Sequence, residues 1–271
     1  MSKAPSTHSP LAYWGAIILI ALTVALITTG GLLTGAIQAG EHPSRLLHEA
    51  MSIVGSVVAL IVVVLLYRYG GVQRRAGLWL LAVVIVQGAV GTPSWMENLK
   101  PFLPMVHAVL APVFLGVAVW AAVVASASWE SGPMPLKDAG WPSLRSLAVV
   151  VPVLLLIQIA FGAAFRHQAM GVMAHIAGAL VVVLLVLLNG MFVTQQCPGH
   201  KALQPAAVTL MTVAFAQIVL GIGAITMRMM TNLFTPGIAA VTTAHVVNGA
   251  LTYGASIWLS VQVRRNVTPK D

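Results

Sequence analysis

Arg45-Leu46-Leu47-His48-Glu49-Ala50-Met51-Ser52 opens a long apolar segment with a histidine, and the same arrangement returns at His107, His175 and His245. Small residues follow each one at helical spacing: Ser52, Gly55, Ser56 and Ala59 after His48, Ala111 after His107, Gly178 and Ala179 after His175, and Gly249, Thr252 and Ser256 after His245. A neutral imidazole beside a bare helix face suits a metal at the centre of a flat macrocycle. One such histidine near a helix end is ordinarily an interfacial hydrogen-bonding group. Four of them at matched depth point to ligands.

Outward from these histidines, the 271 residues are 59% hydrophobic and 7% charged, with a mean hydropathy of +0.93. Lipid, not water, must face such a surface. Apolar segments fall at 12–36, 45–67, 76–92, 103–126, 145–165, 171–194, 206–227 and 237–262, each near the ~20 residues that cross a bilayer. They predict an all-α membrane protein with eight transmembrane helices. The first segment is too long for a removable signal and lacks a small-residue cleavage pattern, so it is expected to be retained.

Basic residues set the orientation. With the N-terminus inside, Lys3, Arg68, Arg74, Arg75, Lys137, Arg145, Lys201, Arg264, Arg265 and Lys270 lie inside, and only Arg45, Lys100, Arg166 and Arg228 outside. Both termini are therefore expected to be cytoplasmic, in a bacterial-type plasma membrane. The net charge of +8 then follows from topology and anionic lipid, and calls for no nucleic acid partner. The single cysteine, Cys197, excludes an internal disulfide, and Cys197-Pro198-Gly199-His200 is not the C-x-x-C-H of covalent heme attachment. Residues 1–10, including His8, form an expected polar lead-in.

The longest polar stretch, Ser126 to Ser146, contains Pro133, Pro135, Gly140 and Pro142 and reads as a cytoplasmic linker. It divides the chain into residues 1–139 and 140–271, each with four segments, an internal repeat. Gly31 to Gly40 and Gly162 to Gly171 span equal lengths before His48 and His175. Gln-x-x-x-Gly occurs three times on odd-numbered segments, as Gln87/Gly91, Gln158/Gly162 and Gln217/Gly221. A glutamine in lipid needs a partner, and a neighbouring helix supplies the plainest one. Thr28-Thr29-Gly30-Gly31-Leu32-Leu33-Thr34-Gly35 lets a helix or a flat ligand approach the first segment. Ser44 is placed to cap the second.

The histidines lie on the second, fourth, sixth and eighth segments, which run in one direction, so all four point to the outer face. Two parallel helices per half, each with an imidazole facing a common interior, give the geometry of a bis-histidine heme. Zinc or copper fits less well, because no cysteine partner and no His-x-x-x-His pair is present. A proton relay stays open, although these segments hold no Asp and only Glu49 beside a histidine. Arg45 and Arg166, at outer helix ends, are candidates to clamp heme propionates. Arg228 reads as snorkelling to the interface. Met227, Met229 and Met230 offer lipid or partner contact before they offer an axial ligand.

Together these residues resemble the heme A synthase family, over nearly the whole chain. The resemblance is carried by Thr29-Gly30-Gly31-Leu32-Leu33-Thr34-Gly35, Gln158-Ile159-Ala160-Phe161-Gly162-Ala163, Gln217-Ile218-Val219-Leu220-Gly221-Ile222 and the four histidines in order. It implies two pseudo-symmetric four-helix bundles. It further implies a heme b cofactor on His175 and His245, and a heme O substrate addressed by His48 and His107. The implied activity is an oxidoreductase that converts heme O to heme A by methyl-group oxidation, in support of terminal oxidase assembly, with heme O synthase or the oxidase assembly as partner. One departure bears on that activity. The family pattern Glu-x-x-His-Arg is here Arg45-Leu46-Leu47-His48-Glu49, with Arg45 where the catalytic glutamate stands. Ile176 also replaces the arginine expected after His175, and the outer loops lack paired cysteines. A non-catalytic diheme bis-histidine cytochrome for electron transfer is the alternative.

Overall fold

The computed structural model describes residues 9–138, 140–231 and 233–270; His8 and most of the expected lead-in lie outside them. Helix α1 (Pro10–Gln38) starts on the rigid φ of Pro10 and is capped by Ser9, whose hydroxyl accepts from Ala12 N at 3.2 Å. There follow α2 (Leu46–Tyr67), α3 (Gly71–Val90), a short α4 (Pro93–Asn98), α5 (Phe102–Ala125), a short α6 (Ala127–Glu130), strand β1 (Leu136–Lys137), α7 (Leu144–Arg166), α8 (Met173–Gln196), α9 (Leu203–Met230), α10 (Pro236–Asn266) and β2 (Val267–Thr268). Each of the eight expected segments is a helix of 20 residues or more.

Six of these helices, α1, α2, α5, α7, α8 and α9, are long and apolar enough to cross a membrane. Helices α3 and α10 fall short of that measure. The first opens with Gln73, Arg74 and Arg75, and the second carries Asn248, Gln262, Arg264, Arg265 and Asn266. Large apolar side chains point outward, among them Leu180 at 73% exposure and Phe215 at 70%. Water would penalise such a surface and hydrocarbon would not.

Helix α1 packs on α2 and α5, α2 on α3, and α3 on α5; likewise α7 packs on α8 and α10, α8 on α9, and α9 on α10. One apolar core, with Leu19, Val62, Leu66, Leu80 and Phe114, fills the first set. Another, with Leu155, Val186, Leu210 and Leu259, fills the second. A smaller cluster of Ile27, Leu115 and Ala250 lies where α1, α5 and α10 meet and joins the two sets. Glycines bring α1 onto α10: a β-carbon on Gly31 would lie 2.7 Å from Thr243 Cγ2, and one on Gly35 would lie 2.8 Å from Ala239 Cβ.

The polar linker is pinned to the chain that follows α10. β1 pairs in parallel with β2, Leu136 against Val267 and Lys137 against Thr268. Asn266 Oδ1 accepts from Met134 N at 2.8 Å, and Arg145 Nη1 donates to Val267 O at 2.5 Å. Arg265 donates to the Trp129 carbonyl and stacks 3.9 Å above the Trp129 ring. Asp138 closes the structure by accepting from the Ser143 hydroxyl at 2.8 Å and from the N–H groups of Leu144 and Arg145 at the start of α7. Burial works to raise the pKa of this carboxyl. The bonds from Ser143, Arg145, Leu144 and Gly140 outweigh it and hold the carboxyl below its ordinary value.

One local expectation, the cap of α2, is corrected. The N-cap of α2 is Arg45, not Ser44, and its side chain makes no capping bond; the Ser44 hydroxyl accepts only from Leu46 N, at 3.4 Å. Cys197 is a buried free thiol whose pKa burial pushes up, an inert packing residue.

Candidate functional site

The four histidines sit at one end of the helices, and each is met by the preceding long helix in the same way. The Cε1 edge of every imidazole faces a glycine. A β-carbon would lie 3.2 Å from His48 Cε1 if placed on Gly30, 2.7 Å from His107 if on Gly91, 2.9 Å from His175 if on Gly162, and 2.9 Å from His245 if on Gly221. Beside each ring lies the carbonyl of the residue four positions before that glycine: Leu26, Gln87, Gln158 and Gln217. The repeat therefore aligns Gly30, not Gly31, with Gly162, a one-residue correction to the equal Gly31–Gly40 and Gly162–Gly171 spans. Gly31 serves the helix contact and Gly30 the imidazole.

The glutamines of Gln-x-x-x-Gly find their partners in the histidines themselves. Gln158 Nε2 donates to the His175 carbonyl at 2.7 Å and lies 3.0 Å from His175 Nδ1. His175 Nδ1 is also 3.2 Å from the Gln158 carbonyl, which can accept its proton. Gln217 Nε2 approaches His245 Nε2 at 3.2 Å, and Asn248 fixes that amide by donating to Gln217 Oε1 at 2.9 Å and to Val213 O at 2.8 Å. Gln87 Nε2 makes longer contacts, 3.3 Å to the His107 carbonyl and 3.4 Å to His107 Nε2. At His48 the partner is a hydroxyl: Thr29 Oγ1 lies 2.9 Å from Nδ1 and donates onward to the Leu26 carbonyl at 3.1 Å. A Thr29 hydroxyl that donates to Leu26 is free to accept from His48 Nδ1–H, the tautomer that leaves Nε2 unprotonated.

His175 and His245 are neighbours, edge to face, with ring centroids 6.1 Å apart and planes at 84°. Two imidazoles holding one metal from opposite sides, each nitrogen at about 2 Å, set ring centres about 6 Å apart. His48 lies within electrostatic reach of His107. Among the described residues no group of three or more His, Cys, Asp or Glu could hold a bare ion. Two imidazoles per half thus match a metal whose other positions a macrocycle fills. His107 Nδ1, His245 Nδ1, Gln87 Oε1 and Gln158 Oε1 are buried without a partner among the described residues. The residues fit heme.

The arginines lie differently. Arg166, at the end of α7, donates to the Gly31 carbonyl at 2.7 Å, and Gln38 donates back to the Arg166 carbonyl at 2.8 Å. It ties α1 to α7 between the two pairs of histidines. Arg45 pairs with Glu97 at 3.3 Å, with both side chains well exposed. Sequence reasoning placed Glu97 in the outer loop and missed it as the partner of Arg45. Met229 and Met230 are exposed, in keeping with lipid or partner contact.

These features define a class, an integral-membrane helical protein with histidines paired at one end. The profile of the COX15-CtaA family, described as cytochrome oxidase assembly protein, matches residues 36–178, more than half of the chain. The chain belongs to that family, the heme A synthase family. No curated protein matches the chain closely enough to count as a relative.

Proposed function

We propose that the protein is a heme A synthase-type oxidoreductase of cytochrome oxidase assembly, with eight spans arranged as two pseudo-symmetric four-helix bundles. Residues 1–139 form the substrate half and residues 140–271 the cofactor half. His175 and His245 hold heme b, which supplies one-electron redox chemistry when bound. His48 and His107 address heme O, whose methyl group would be oxidised to a formyl group through hydroxylation steps, with dioxygen or an external electron acceptor as oxidant. Both termini lie in the cytoplasm and the histidines toward the outer face, where Arg45 and Arg166 are within reach of propionates.

The observation that carries this reading is the pairing of His175 with His245 at 6.1 Å, joined to membership of the family. The chain's own part is positional. Gln158 and Gln217 orient the cofactor imidazoles, the glycines clear space for the rings, and the apolar walls keep water out. The exposed Arg45–Glu97 pair favours a second reading, a diheme electron-transfer cytochrome, because an arginine stands where the family pattern before His48 has a glutamate.

Expression in a membrane that also makes heme O, followed by extraction and mass identification of the hemes, tests the reading. Heme A or its hydroxylated precursor is the expected result. Heme b alone with a low-spin spectrum selects the cytochrome, and no heme on intact protein removes both.

A further inference from the structure

Arg45, Lys100, Arg166 and Arg228 are the Lys and Arg residues at the histidine end of the helices, and three of them meet the surroundings or a counter-charge. Lys100 is exposed, Arg45 pairs with Glu97 at 3.3 Å, and Arg228 is exposed with its guanidinium 5.3 Å from the centre of the Phe234 ring. Arg166 is different. It is half-buried at the end of α7, and no carboxylate among the described residues lies within electrostatic reach of its guanidinium. Its Nη2 donates to the Gly31 carbonyl at 2.7 Å, and Gln38 Nε2 donates to the Arg166 carbonyl at 2.8 Å. Gly31 in turn lies against Thr243, two residues before His245, and Arg166 is within electrostatic reach of His245. A carbonyl of the first half thus fixes the cation beside the second pair of histidines.

The tie between α1 and α7 needs no charge, since a neutral amide N–H could donate to Gly31 as well. A guanidinium withdrawn from water without a counter-ion is costly to keep. The C-terminal dipole of α7 and one carbonyl offset only part of that cost. What is left over is a positive field at the second pair of histidines. Reduction lowers the charge of a metal held there by one, so a fixed cation nearby favours the reduced form. Resting on the heme site proposed above at His175 and His245, we infer that Arg166 tunes that heme: its charge raises the reduction potential from an anchor on Gly31 of the other half. Gly31 follows Gly30, the glycine against which His48 rests. The potential of the second site therefore depends on how the first half is seated.

The test uses the full chain, expressed in a membrane that makes heme b and no heme O, moved into lipid nanodiscs and titrated with dithionite, the heme spectrum being followed by absorbance. The heme that His175→Ala loses is the one of the second half. Arg166→Gln is expected to keep that heme and to lower its ferrous-to-ferric ratio at the wild-type midpoint by about tenfold, the effect of one charge ~10 Å away at an effective dielectric constant of ~20. Arg166→Lys, which keeps the charge, recovers most of the ratio. Arg228→Gln, which removes an exposed and screened charge, leaves it unchanged. An unchanged midpoint in heme-replete Arg166→Gln overturns the inference and leaves the heme site standing. An equal fall in Arg166→Lys overturns it too, because the tie to α1 and not the charge would then be at work. If Arg166→Gln does not hold heme, Gln38→Leu replaces it: a looser anchor gives a smaller fall, and no fall overturns the inference. A folded wild type without heme removes the site itself, and the inference with it.

Discussion

Gly30 and Gly31 are neighbours in the chain and serve different parts of the molecule. A β-carbon on Gly30 would press on His48, and one on Gly31 would press on Thr243 of α10. Gly31→Val is therefore expected to wedge α1 off α10 and destabilise the protein by ~1–3 kcal/mol, read as a lower unfolding midpoint in detergent. Gly30→Ala should leave that midpoint nearly unchanged and alter the spectrum of heme bound in the first half.

Gly162→Ala and Gly221→Ala put a methyl group 2.9 Å from the Cε1 atoms of His175 and His245. The ring, the neighbour that must give, is the proposed ligand. Both variants are expected to convert low-spin heme to high-spin or to lose it, measured by absorption and EPR spectra of the purified protein. Gly88→Ala, whose β-carbon would meet nothing within 4 Å, is the silent control.

Asn248→Ala removes the donor that orients Gln217. The amide can then turn over and offer its oxygen to His245. The expected result is a shifted heme midpoint potential with heme content retained, a smaller effect than that of Gln217→Leu. Redox titration of both variants checks the order.

Asp138 has a folded pKa below its unfolded value of 3.8. Its stabilisation is thus fully present above the unfolded value and is lost as pH falls through the folded one. Asp138→Asn keeps one acceptor and loses the charge, so it should cost ~1 kcal/mol at neutral pH. The gap to wild type should start to narrow below the unfolded value of 3.8 and close only as pH falls through the lower folded value. Unfolding midpoints at pH 7 and pH 3.5 test the sign.

Much of this was legible in the sequence because hydrophobic length and histidine position are local signals. The segments at 45–67 and 145–165 lie within a residue of α2 and α7. His48, His107, His175 and His245 declared themselves by repetition. The partners of the glutamines did not, because Gln87, Gln158 and Gln217 reach histidines 20, 17 and 28 residues away, and no single spacing marks the pair. Thr29 was seen as a small residue for packing, and its hydroxyl bond to His48 follows only once α1 and α2 are placed side by side. The polar composition of α3 and α10 also had no reading in a hydropathy scan. In α10, Asn248 and Asn266 spend their polarity on Gln217 and on Met134.

The strand pair after α10 also bears on how the protein is made. Met134 N, the Arg145 guanidinium and the β1 backbone bond to residues 266–268, up to 132 positions later in the chain. While the second set of helices is being inserted, the linker cannot settle, and the register between the two sets stays open. The contact of α1 with α10 around Gly31 and Thr243 is equally late. Biogenesis thus ends with a latch, and a ribosome stalled short of residue 266 leaves both sets of helices in the membrane without the β1–β2 pair and the Asn266 bond at that end.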